Sequence, residues 1–169
     1  MGARNYLIEG VSGTGKSAVL RELRRRGHHT VDGDNELAYQ GDPVTGVPTT
    51  VPAHEHHIWD VATVRSIAGE REHDRTFFCG GSRNHARFID VFDEVFVLVV
   101  DVDTLNRRLD GRSDNPTGKD PEERALILQL NATEADLPPG ATRLDATVPL
   151  VQVVDEILRR TEGSQRALP

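Results

Sequence analysis

Eight consecutive residues, GVSGTGKS from Gly10 to Ser17, fit the pattern G-x-x-x-x-G-K-(S/T) in full. Each residue type there has a chemical use. Glycines let the main chain close around an anion, and successive N–H groups at the start of a helix hold the β-phosphate of a nucleoside triphosphate. Lys16 then reaches the β and γ oxygens, and the Ser17 hydroxyl is placed for Mg2+. Nucleotide contacts are expected from Gly10, Ser12, Gly13, Thr14, Gly15, Lys16, Ser17 and Ala18. The chain has 18 arginines and 2 lysines, so the position of Lys16 carries information, as does that of Lys119 in a second glycine-containing loop. A second stretch, VDGDNE at 31–36, sets Asp32 and Asp34 on either side of a glycine, with Glu36 beyond. Asp, Gly and Asn are ordinary turn residues, so these acids acquire a chemical reading only from what surrounds them.

The elements that must hold these residues are legible in the hydropathy pattern. Short apolar runs, YLIE (6–9), HTVD (29–32), TFFCG (76–80), VFVLVV (95–100) and TRLD (142–145), alternate with helix-like segments. Strands separated by helices predict an α/β fold: three layers, α/β/α, around a five-stranded parallel sheet covered on both faces. The phosphate motif lies between the first run and a helix over 16–26, whose Val19, Leu20 and Leu23 share a face and whose last turn is arginine-rich before Gly27. Further helices are expected over 58–71, 84–92, 104–110, 121–131 and 149–160. Residues 41–53, with three prolines and two glycines, are expected as an extended loop, NPTGK (115–119) as a turn, and the tail EGSQRALP as frayed.

Composition narrows the function classes. A chain of 169 residues suits one domain with one core. The net charge of −7 argues against a general nucleic-acid binder, which would need a basic surface. The longest strongly apolar run, Val95 to Val100, is far short of a membrane span. With Cys79 the only cysteine and no signal-peptide pattern, a soluble cytoplasmic protein is expected. Its oligomeric state is left open. No N-K-x-D base-reading motif of a GTPase occurs. Asp101 follows an apolar strand, as a motor's metal-binding acid would, but any buried parallel strand ends in a polar residue, and Asp103 or Thr104 suits the cap of the next helix.

The phosphate loop, VDGDNE after the second strand, CGGSRN after the third and LNRRLDGRSDNPTGK after the fourth resemble, in order and spacing, the small-molecule P-loop kinases of the shikimate, gluconate and nucleotide kinase superfamily. The resemblance covers nearly the whole chain. It implies transfer of the γ-phosphate of ATP, with Mg2+, to a hydroxyl of a small molecule. By that resemblance Asp32 helps hold the metal through water, together with Ser17. Asp34 contacts the acceptor hydroxyl and takes its proton, beside the catalytic Lys16. The alternation of strand residues points Asp32 and Asp34 the same way, toward the crevice at the sheet's carboxyl edge. Gly80 and Gly81 fall where the family brings main-chain N–H groups to the acceptor, with Arg83 beside them, and a separate acceptor segment of about 36–73 holds Tyr39, His54, His56, His57 and Trp59. Trp59 is expected to stack on the acceptor. The stretch 107–120 resembles the lid over ATP, with Arg108 and Arg112 favoured over Arg107 to meet the transferring phosphate. LDATVP (144–149) falls where the family packs a loop against the adenine.

The acceptor stays open between a nucleoside, a sugar or sugar acid, and a hydroxylated natural product. Ile58-Trp59 replaces the F-R pair that holds the shikimate carboxylate, and the D-G-(Y/F)-P-R acid of adenylate kinases is missing. HEHH lacks the spacing of an H-E-x-x-H zinc site. Two other readings remain: a P-loop regulator that binds or hydrolyses ATP without an acceptor, and a nucleoside monophosphate kinase.

Overall fold

The strand β1 (Arg4–Glu9) forms the centre of the molecule because its neighbours on both sides run parallel to it. The computed structural model describes residues 3–113 and 117–163. Along the chain follow α1 (Lys16–Arg25), β2 (His29–Asp32), α2 (Gly33–Glu36), β3 (Ala38–Gln40), β4 (His57–Trp59), α3 (Val61–Gly69) and β5 (Arg75–Cys79). The remainder is β6 (Glu94–Val99), α4 (Val102–Asp110), α5 (Pro121–Thr133), β7 (Thr142–Asp145) and α6 (Leu150–Gly163). The main sheet has five parallel strands in the order β2-β5-β1-β6-β7. The five expected strands match it to within two residues at each end.

Alternation along β1 divides the core. Tyr6 and Ile8 pack with Val19 and Leu23 of α1 and Val154 and Ile157 of α6, whereas Leu7 faces the opposite cluster of Val31, Trp59, Val64, Phe78 and Phe88. Parallel strands buried on both faces must be apolar throughout. Glu9, the last residue of β1, is therefore an exception, at 1% exposure.

Two elements differ from expectation. The helix expected from 58 begins at Val61, since Asp60 caps it by accepting the Thr63 N–H at 2.7 Å. The residues ahead of it form β4, which pairs antiparallel with β3. The segment 84–92 is two 3-10 turns, His85–Arg87 and Ile89–Val91, because the Asn84 side chain bonds the Trp59 main chain rather than capping a helix. Asn115 and Pro116 of the expected turn, and the tail from 164, lie outside the described residues. Among the described residues no helix is long and apolar enough to cross a membrane.

Candidate active site

The phosphate loop joins the carboxyl end of β1 to α1, which starts behind a left-handed Gly15 (φ 107°). Thr14 Oγ1 donates to the Val11 carbonyl at 2.8 Å and fixes the curl of the loop. A cavity of about 560 Å³ opens over it, lined by Ser12, Gly13, Thr14, Gly15, Lys16, Ser17 and Ala18. Gly10, the remaining expected nucleotide contact, lies on the wall of a second cavity. Lys16 Nζ donates to the carbonyls of Gly10 and, at 3.2 Å, Val11. Burial lowers its pKa, against the opposing charges of Asp34 and Glu9.

Arg108 and Arg112 both line the larger cavity. Arg108 connects its two sides, donating to the Thr14 carbonyl at 2.9 Å and the Ala146 carbonyl at 2.6 Å. Ala146 and Val148, within the expected adenine loop, form an apolar part of the wall. Arg112 reaches Ser12 Oγ at 3.3 Å and the Thr117 carbonyl at 3.4 Å. Arg107 instead stays exposed beside Thr104. Asp101 is the N-cap of α4, accepting the Thr104 N–H at 2.7 Å, and lines neither cavity.

Asp34 lines both cavities. Its position does not come from strand alternation: β2 ends at Asp32, and Gly33–Glu36 coil into the single turn of α2. That changes the reading of Asp32, whose Oδ1 accepts the Asn35 N–H at 3.3 Å and whose Oδ2 accepts Asn35 Nδ2 at 2.8 Å. Asp32 is the cap that builds the turn, and it is absent from the lining of either cavity, so the geometry does not carry the metal role expected of it. Glu36 closes the same turn by accepting the Asp32 N–H at 2.8 Å.

Trp59 also requires correction as an acceptor-stacking residue. It is fully buried, stacked on Phe88 at 5.7 Å with an interplanar angle of 3°. Its ring is the floor under the site. A Cβ at Gly33 would lie 2.0 Å from Trp59 Cζ2, and one at Gly80 (φ 143°) would lie 2.8 Å from both Trp59 Cζ2 and Asp34 Oδ1. Glycine at these two positions lets α2 and the end of β5 close on the indole. Asn84 fixes the ring from behind, accepting the Trp59 N–H at 3.0 Å and donating to its carbonyl at 2.9 Å.

The second cavity, about 200 Å³, shares Ser12, Lys16 and Asp34 with the first. Gly81 and Arg83 line it as expected, together with His54, His57, Asp136 and the α5 residues Glu123, Leu126 and Leu130. Asp34 Oδ1 takes two hydrogen bonds, from His57 Nε2 at 3.0 Å and from the Gly81 N–H at 3.2 Å. Burial by itself would raise the Asp34 carboxyl, but the His57 bond, the Lys16 charge and the Gly81 N–H together hold it below its ordinary value. Arg83 pairs with Asp136, and His54 Nε2 lies 2.5 Å from the same carboxylate and 2.9 Å from the guanidinium. Asp136 left no signal in the sequence, because it joins Arg83 from a loop 53 residues away. Glu9 did leave one, as an acid ending an apolar strand. Burial pushes its pKa up to about 8, tempered by Arg83 and Lys16, and neither oxygen has a partner at hydrogen-bond geometry even though the Ser82 N–H lies near. Cys79 is buried and its thiol is pushed up by burial, which leaves it unreactive.

The family described as an AAA domain matches residues 7–129 of this sequence. The chain belongs to that family. The matched AAA-domain span takes in the phosphate loop, Asp34, the glycines after β5, Arg108 and Arg112; Asp136 and Ala146 lie beyond it. Among solved structures, a sugar kinase from Janibacter sp. HTCC2649 is similar at 18% identity and a TM-score of 0.59, with 95% of each chain covered. A gluconokinase from Sinorhizobium meliloti 1021 is similar at 17% identity and a TM-score of 0.58, covering 96% of this chain and 95% of that one. A shikimate kinase from Acinetobacter baumannii, solved with shikimate, is similar at 16% identity and a TM-score of 0.59, covering 98% and 96%. No curated protein matches by sequence. These likenesses establish the fold, a three-layer α/β/α P-loop nucleoside triphosphatase.

Proposed function

We propose that this AAA-domain protein is a kinase that transfers the γ-phosphate of ATP to a hydroxyl of a small molecule. One observation carries the reading: two cavities of different character meet at Ser12, Lys16 and Asp34. A phosphate donor in one and a hydroxyl acceptor in the other would meet at that common wall, where a cation and a carboxylate stand together. The kinases among the similar structures support the same class of reaction.

The N–H groups of 12–18 would hold the β-phosphate, and Lys16 would leave its carbonyl partners for the transferring phosphate. Arg108 and Arg112 would meet it from the lid. Both bonds to Asp34 fall on Oδ1, so Oδ2 is the oxygen that receives the proton of the acceptor hydroxyl as the new bond forms. Mg2+ would neutralise the phosphate oxygens. The residues fit such an ion: Ser17 lines the phosphate cavity, and Mg2+ takes one or two protein ligands while keeping water for the rest. The segment 36–73 forms the acceptor side and 107–120 the lid, within one domain.

Acceptor-dependent ADP release over a panel of nucleosides, sugars and alicyclic polyols tests the reading, with wild-type protein and Asp34→Asn. The variant is expected to bind ATP as wild type does and to lose about 100-fold or more of its turnover. Acceptor-independent hydrolysis of equal rate in both proteins would instead favour an ATP-binding regulator.

A further inference from the structure

The acceptor cavity has one arginine, Arg83, and that arginine is already held. Asp136 is its ion-pair partner from the front, and the buried acid Glu9 lies close enough to feel its charge. Lys16, which lines the wall along with His54 and His57, is shared with the phosphate loop, where a bound phosphate would match it. Against these stand three carboxylates lining the cavity, Asp34, Glu123 and Asp136. Glu123 is exposed and accepts the Gly118 N–H at 2.9 Å, which leaves its charge uncompensated by any cation among its described contacts. Leu126, Leu130 and Leu137 add an apolar wall.

We propose that the acceptor is a hydroxyl compound carrying a protonated amine, and that Asp136 is the residue that excludes hydroxy acids by holding Arg83. The inference rests on the kinase reading only in taking this cavity as the acceptor's. A substrate carboxylate would have to displace Asp136 from Arg83 and leave that acid with His54 alone, beside Asp34 and Glu123. A like charge placed so close is repelled rather than bound. An ammonium group meets Glu123 with no cation to displace, and its carbon ring covers the leucines. Specificity here comes as much from what is rejected as from what is attracted.

Three polyhydroxylated six-membered carbocycles of similar size test this: 2-deoxystreptamine (two amines), myo-inositol (neutral) and quinate (a carboxylate). Each is titrated calorimetrically into the full-length protein with the nucleotide site filled by ADP, and ADP release from ATP is measured with each in parallel. The diamine is expected to bind about 10-fold or more tightly than inositol, and quinate most weakly. Asp136→Asn frees Arg83 and is expected to shrink the preference for the diamine over quinate by about 10-fold. Glu123→Gln, on an exposed helix start where the amide can keep the Gly118 bond, is expected to weaken the diamine several-fold and leave inositol unchanged. Equal affinity for diamine and inositol overturns the amine assignment, as does tightest binding of quinate; unchanged ratios in both variants do so as well. Selective binding of the diamine without ADP release would leave this inference standing and remove the kinase reading, whereas turnover confined to quinate would do the reverse.

Discussion

His57 Nε2 and Asp34 Oδ1 lie 3.0 Å apart, across the junction between the β3–β4 pair and the turn that follows β2. The contact links two segments that meet only in the folded chain. It fixes one carboxylate oxygen and, in the proposed kinase, leaves the other for the acceptor hydroxyl. It also favours the ionised acid that a proton acceptor must be.

His57→Ala should therefore move the acidic limb of the pH–rate profile. In the wild type, activity is lost as pH falls through an Asp34 pKa held below its ordinary value by His57, Lys16 and the Gly81 N–H. Removing the histidine removes one of the groups that lower it, so the limb should shift to higher pH. At a pH well above both limbs, kcat should fall by roughly 10-fold through lost orientation of the carboxylate. An unmoved limb in kcat/KM measured from about pH 4 to 8 would count against this role.

Gly33→Ala should destabilise the protein through Trp59 rather than through backbone strain. The added methyl would lie 2.0 Å from the indole, and the floor of the site must move to admit it. Overpacking of this kind costs about 1–3 kcal/mol. Trp59→Leu alone leaves a cavity beside Phe88 and should also destabilise, but the two changes together should be less harmful than their sum. Urea unfolding of the two single variants and the double variant gives the coupling directly, and additive losses would show that the indole is not what makes Gly33 necessary.

The same pair explains what could be read in advance. Strand runs and the phosphate loop are local patterns, so the five strands, α1 and the loop lining the larger cavity are legible. Asp34 is legible as a residue of the crevice but not by its geometry, because period-two alternation stops at the end of β2, where Asp32 begins a turn. Trp59 was misread since an indole near a substrate segment suits either face of the wall, and only the glycines at 33 and 80 reveal that it lies beneath. Asp136 and the leucines of α5 come to line the second cavity only when distant segments pack, which a single sequence does not encode as a spacing.

Glu9→Gln should remove a pH dependence of stability. The folded protein holds this acid with a pKa of about 8, against an ordinary 4.5. Between those values the folded state binds a proton that the unfolded state has released, so stability declines as pH rises through that window and levels off above it. Glutamine is neutral at every pH and of similar shape. Urea midpoints at pH 5 and pH 8 should differ less for Glu9→Gln than for wild type, with the variant the more stable of the two at pH 8. Equal slopes would mean that the carboxyl is ionised in the fold, paired with Arg83 or Lys16.

Arg108 and Arg107 are adjacent in sequence and should behave as opposites. Arg108 joins the Thr14 carbonyl of the phosphate loop to the Ala146 carbonyl of the adenine-side loop, a two-pronged contact that needs a planar fork. Arg108→Lys keeps the charge but can reach only one of those oxygens at a time. It should raise the KM for ATP several-fold by loosening the two walls, and lower kcat by about 10-fold or more if the same guanidinium swings to the transferring phosphate. Arg107→Ala removes an exposed side chain that bonds Thr104 and faces the Asp101 charge outside both cavities, and should leave both constants within about two-fold of wild type. A KM effect without a kcat effect in Arg108→Lys would confine that residue to holding the nucleotide cavity together and leave Arg112, at the mouth beside Ser12, as the lid cation that meets the phosphate.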